Sequence, residues 1–88
     1  MFRIWGKIFK DNRMIDDVVI ENDTEDTRTH KVFDSLDKIC DKFNLSRPIW
    51  LQKNIEEFKR FSIARFNSDN FIETIEFDYL EIRMIEED

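Results

Sequence analysis

A switch in hydrophobic period partway along the chain constrains its fold more than any single residue does. From Phe2 to Phe9 the side chains alternate between two faces, the period of a strand; from Thr29 the apolar residues recur every three or four, the period of a helix. Within the first run, Phe2, Ile4, Gly6 and Ile8 share one face, and Arg3, Trp5, Lys7 and Phe9 share the other. Met14 to Glu21 follows, centred on the β-branched Val18-Val19-Ile20, and Asp11-Asn12-Arg13 supplies turn residues between the two runs. This pattern predicts a β-hairpin. Without Asn-Gly or Asp-Gly, its loop is expected to be longer than the tight two-residue form.

At about 100° per residue, Thr29, Val32, Phe33, Leu36, Ile39, Cys40 and Phe43 fall within an arc of about 120°, which predicts an amphipathic helix from Thr27 to Phe43. Asp26 or Thr27 is its expected N-terminal cap; Asn44 suits a left-handed residue at its end, and Leu45 folds back on the last turn. Arg47-Pro48 imposes an extended or turn conformation. Asn54 and Glu57, at capping-box spacing, open a short second helix with Ile55, Phe58 and Phe61 on its inner side. Ser62 to Asn70 shows no clear pattern. A final strand is expected from about Ile75 to Glu86, with Leu80, Ile82 and Met84 on one face and Phe77, Tyr79 and Ile85 on the other.

The expected fold is therefore α+β: an antiparallel three-stranded sheet, made of the hairpin and the C-terminal strand, with the long helix packed on one face. The first strand, carrying Arg3 and Lys7, belongs at the centre, where it meets Glu76, Glu81 or Glu86 and keeps the two acidic strands apart. Residues 1–88 are expected to form a single domain, since a chain of this length supports one core.

Charge and composition exclude several classes of function. The net charge is −6, which repels phosphate backbones at long range, and residues 14–28 concentrate Asp16, Asp17, Glu21, Asp23, Glu25 and Asp26 against Arg28 alone. One glycine rules out a glycine-rich phosphate loop, and one His with one Cys falls short of a structural metal site. The lone Cys40 fits a reducing, cytoplasmic compartment. Arg3, Lys7 and Lys10 interrupt the N-terminal apolar residues, so neither a signal peptide nor a membrane span is expected.

Three constellations bear on function. His30, Asp34, Asp37 and Asp41 follow at helical spacing, the arrangement a metal-dependent activity would need, but Lys38 and Lys42 neutralise the stripe, and one helix seldom completes a coordination shell. The face of Arg3, Trp5, Lys7 and Phe9, joined by Phe77 and Tyr79 of the last strand, combines aromatics and bases as a single-stranded nucleic-acid module does. Residues 45–72, with Trp50, Phe58, Phe61, Phe66 and Phe71, are expected to cover that face as a second core layer. Asp16, Asp17, Glu21, Asp23, Glu25 and Asp26, with Glu76, Asp78, Glu81, Glu86, Glu87 and Asp88, form an acidic surface suited to a basic protein.

The segments Arg3-Ile-Trp-Gly-Lys-Ile-Phe-Lys-Asp11, Asp26-Thr-Arg-Thr-His-Lys-Val-Phe33, Asp69-Asn-Phe-Ile-Glu73 and Asp78-Tyr-Leu-Glu-Ile82 resemble a group of short uncharacterised bacterial proteins. The resemblance covers most of the chain and implies a small intracellular bacterial protein, with no activity, cofactor or site residue attached. From the residues themselves, no catalytic group and no cofactor is expected. The reading is a small non-enzymatic protein-interaction, accessory or regulatory domain with a protein partner or a second copy, acting through Arg3, Trp5, Lys7, Phe9, Phe77 and Tyr79.

Overall fold

The alternating residues at the start of the chain become the central strand of the sheet. In the computed structural model, which describes residues 1–87, β1 (Phe2–Lys10) pairs with β2 (Arg13–Asn22) on one side and with β4 (Tyr79–Glu86) on the other. Between them in sequence come α1 (Arg28–Lys42), α2 (Gln52–Phe61), β3 (Ile63–Phe66) and a single 3₁₀ turn at Ser68–Asn70. The fold is α+β, and the sheet is antiparallel throughout, in the order β2-β1-β4-β3. It has four strands rather than the expected three. Asp88, counted in the acidic surface above, lies outside the described residues.

The fourth strand, β3, escaped sequence reading because it is four residues long and has no turn before it. Ser62, the left-handed residue that ends α2 (φ 58°), donates its N–H to the Phe58 carbonyl, and its own carbonyl accepts the Met84 N–H at 2.9 Å. The helix thus runs directly into the strand. β4 therefore lies inside the sheet instead of at an edge, and it begins at Tyr79, four residues later than expected.

The hairpin also differs from expectation: its loop is the tight two-residue form. Asp11 and Asn12 have φ of 53° and 64°, and Lys10 lies opposite Arg13. Asp and Asn tolerate the left-handed region well enough to make a primed turn without glycine. The Asp11 N–H is further held by the Asp78 carboxylate at 2.8 Å. Two pairs beyond the turn, Ile15 is left without a partner as the register shifts, making a bulge in β2.

α1 forms nearly where its periodicity places it. Thr27 caps it by accepting the His30 N–H, and Asn44 (φ 56°) ends it, with the Leu45 N–H reaching back to the Cys40 carbonyl at 2.8 Å. Its buried stripe is Lys31, Val32, Ser35, Leu36, Ile39 and Cys40, rotated from the predicted arc so that Thr29 and Phe33 lie outside it. Phe33, expected in the core, is 40 % exposed and meets Trp50 edge-on.

Both helices lie against the same side of the sheet. One cluster gathers Phe2, Ile4 and Ile8 of β1 with Leu36 and Ile39 of α1, Phe58 of α2, Ala64 and Phe66 of β3, and Leu80 and Ile82 of β4. Gly6 faces this side, and a Cβ added there would stand 2.6 Å from Ile39 Cγ2. The missing side chain lets α1 approach the middle of β1. A second tie holds α2 to β3 and the 3₁₀ turn through two fully buried amides. Asn54 Nδ2 donates to the Arg65 carbonyl (2.8 Å), while Asn54 Oδ1 accepts from the Leu51 N–H and Asn70 Nδ2. Asn70 Nδ2 also reaches the Ile49 carbonyl. No helix of the described residues is long and apolar enough to cross a membrane.

Two measurements check this packing. Gly6→Ala should destabilise the fold by about 1–3 kcal/mol in urea titration, because Ile39 is crowded close to its own backbone and yields little. Combined with Ile39→Ala, it should cost less than the sum of the two single changes. Burial, with the Asp37 and Asp41 charges adding to it, pushes the Cys40 thiol up to about 11. At pH 8 iodoacetamide should therefore label Cys40 only as the chain opens, at a rate that climbs with urea in step with unfolding.

Candidate functional site

The pleat of β1 sends Arg3, Trp5, Lys7 and Phe9 to the side of the sheet away from the helices. Cross-strand pairing extends each of them into a row. Arg3 lies between Glu21 and Glu86; Trp5 between Val19 and Arg83, with Ile63 beyond; Lys7 between Asp17 and Glu81, with Arg65 beyond; and Phe9 between Met14 and Tyr79. The result is a grid in which charged rows alternate with apolar or mixed ones. No element of the described residues is stacked over it: Val19 and Met14 are about half exposed, as are the side chains of Arg3, Arg65 and Arg83.

The centre of the grid is Glu81, only 2 % exposed. Its carboxylate lies 3.3 Å from Lys7 Nζ, 2.9 Å from Arg65 Nε and 3.8 Å from Arg83 Nε, so one anion joins three strands. The carboxylate's hydrogen bond holds the Arg65 guanidinium above its ordinary pKa. Lys7, itself largely buried, also places its ammonium 3.8 Å from the Trp5 ring centre. Trp5 Nε1 donates to Asp17 at 2.9 Å, and at the far row Phe9 stacks on Tyr79 with ring centres 5.0 Å apart. Arg3 Nε reaches Glu21 at 2.8 Å and Glu86 at 3.2 Å. Side chains of the face thus cover one another, without a second layer.

Five of the six residues expected to form an interaction face share it: Arg3, Trp5, Lys7, Phe9 and Tyr79. Phe77 does not. It precedes the start of β4, where the pleat no longer dictates its side, and packs edge-on against the buried Phe71. The expected lid is absent as well. Phe58, Phe66 and Phe71 join the core on the helix side, and Trp50 is wedged edge-on among Phe33, Phe58 and Phe66. Phe61, also assigned to the lid and to the inner side of α2, is 61 % exposed. The aromatics of residues 45–72 were needed on the inner side because α1 alone covers only the β1 and β2 half of the sheet.

The helical stripe of His30, Asp34, Asp37 and Asp41 is not gathered into a site. His30 Nδ1 turns back 2.8 Å to Asp26, Asp37 pairs with Arg47, and no group of three or more His, Cys, Asp or Glu among the described residues is placed to hold a metal ion. The bond with His30, followed by the Thr27 N–H, holds Asp26 below the usual carboxylate range.

Arg65 and Arg83 were missed as members of the face. Arg83 was legible, since Tyr79, Glu81 and Arg83 continue a two-residue period. Arg65 was not, because β3 itself went unrecognised. The buried Asn54 and Asn70 carry no sequence signal for burial, as amides are ordinarily exposed. No family model matches the chain, and neither a curated protein nor a solved structure matches it.

The centre of the grid can be tested by a double-mutant cycle. Glu81→Leu strands the largely buried Lys7 without its carboxylate and should cost about 3 kcal/mol of stability. Lys7→Met added to it should restore at least about 1 kcal/mol, since removing both charges is milder than removing one. Additive losses in chemical denaturation would show that the two groups do not depend on each other.

Proposed function

We propose that the chain is a non-enzymatic contact domain whose open sheet face docks a basic protein. The observation that carries this reading is the self-neutralised grid: each of its four cations, Arg3, Lys7, Arg65 and Arg83, already lies within 4 Å of a carboxylate of the same face. A phosphate chain gains affinity by matching cations that are otherwise unmatched. Base stacking needs free ring faces, whereas Lys7 lies over Trp5, and Phe9 is stacked on Tyr79. Both points weigh against the single-stranded nucleic-acid reading. A protein surface asks for something else, namely exposed apolar rows such as Val19 and Met14 set among fixed, neutralised charges.

Basic character in the partner follows from electrostatic complementarity. The chain is at −6 overall; Asp17 and Glu21 stand exposed on β2 at the margin of the face, and Asp16 is exposed on the other side of the same strand. The groups with chemical potential lie away from it and are otherwise engaged: Cys40 is buried and protonated at neutral pH, and His30 is bound to Asp26 on the surface. A cytoplasmic, accessory or regulatory role in a bacterial cell is part of the same proposal.

Photo-cross-linking tests the reading. With p-benzoylphenylalanine at position 79 or 19 in the cell of origin, irradiation should give polypeptide adducts; the same group at position 38, exposed on α1, should give none. Adducts to nucleic acid, or equal adducts from all three positions, would refute it. Light scattering should show a monomer across concentration, and a dimer would replace the proposed partner with a second copy.

A further inference from the structure

The two edges of the sheet are guarded very differently. β3 is four residues long, and its Arg65 carbonyl already accepts Asn54 Nδ2 at 2.8 Å. β2 is ten residues long and contains neither proline nor lysine, the residues that commonly blunt an edge. Among the described residues, no backbone hydrogen bond reaches it from any element but β1. The Ile15 bulge disturbs only the end near the turn, which leaves Asp16–Asn22 in regular register with β1; on its outer side the Asp17 N–H donates to the Asp16 carboxylate at 2.9 Å, a side-chain bond that an incoming strand would have to displace. Along an antiparallel edge, alternate residues point their N–H and C=O outward. What such an edge accepts is an extended backbone.

The grid supplies the side chains that backbone should carry. One row reads Glu21, Arg3, Glu86, and another reads Asp17, Lys7, Glu81, Arg65, with charge alternating at every strand. Extending each row by one strand beyond β2 calls for a base opposite Glu21 and a base opposite Asp17. Between them, Val19 calls for an apolar residue. On the helix side, Val18 and Ile20 are half-buried against the core and would be covered by two more apolar residues. We infer that β2 takes up, as a fifth strand, an extended segment of a basic partner with the pattern base, apolar, apolar, apolar, base. A second copy of β2 is the wrong occupant, since aligned antiparallel on Val19 it would bring its Asp17 and Glu21 against Glu21 and Asp17. The inference rests on the proposal that the chain docks a basic protein, and names how that protein is held.

The probe is the blocked peptide Gly-Ser-Lys-Val-Ile-Val-Lys-Ser-Gly, added to the ¹⁵N-labelled full chain. At about ten times its Kd, it should slow amide exchange at alternate residues between 16 and 22 by about tenfold, and leave α1 and α2 unchanged. Two further peptides, N-methylated on the two valines or on the two lysines and the isoleucine, separate strand addition from simple stickiness. A strand bonds through one edge only, so one of the two should bind and the other should fail. A version with Glu for both Lys should bind at least about tenfold more weakly. Protection outside β2, no protection, methylated peptides that both bind or both fail, or an equal Glu version would each overturn the inference. If it falls while cross-links at positions 19 and 79 persist, the partner docks on the face without adding a strand. If the cross-links are lost too, the contact reading falls with it.

Discussion

The pleat of β1 is the constraint on which the remaining contacts depend. Because successive side chains of a strand point to opposite sides, one nine-residue segment sends Phe2, Ile4, Gly6 and Ile8 into the core and Arg3, Trp5, Lys7 and Phe9 to the open face. Pairing on both sides then propagates that division across the sheet. Gly6 fixes how closely α1 approaches the inner side, and Lys7, one residue later, anchors the buried carboxylate of Glu81 on the outer side. A one-residue slip in register would exchange the two populations and bury the charges without partners.

Charge has a different task on each side of this division. On the outer face it is matched in place: Glu81 ties β1, β4 and β3 together through Lys7, Arg65 and Arg83, and the ammonium of Lys7 covers the Trp5 ring. Such a face keeps its half-buried aromatics in water without a covering layer. At the edges, charge decides what can approach. The Asn54 amide occupies β3, while the acids of β2 repel a like strand and leave its backbone groups open to an unlike one.

Most of the local structure is legible in the sequence alone. The hairpin, the helix with its Thr27 cap and Asn44 end, the central place of the first strand and the two faces of β1 all follow from period, capping chemistry and charge. The failures share a cause. Ile63–Phe66 is too short to display a period, and the Asp11-Asn12 turn uses residues that only tolerate the left-handed region. Phe77 sits just ahead of the strand that would have oriented it. Each outcome was set by partners distant in sequence: Met84 for the entry to β3, Asp78 for the turn and Phe71 for Phe77.

The sequence by itself determined which residues share a face, because alternation and helical period are properties of the backbone that any neighbour must accept. It also determined that aromatic and charged groups would dominate one side of β1. Only the tertiary structure decided whether that side is covered. Four aromatics of residues 45–72, Trp50, Phe58, Phe66 and Phe71, are equally able to cover either face of a sheet, and their periodicity is silent on which. The α2–β3 junction, pinned by the Asn54 and Asn70 amides, carries them to the helix side, where α1 leaves the β4 and β3 half of the core unfilled. The open face is thus a result of where the core still lacked volume, which no local pattern records.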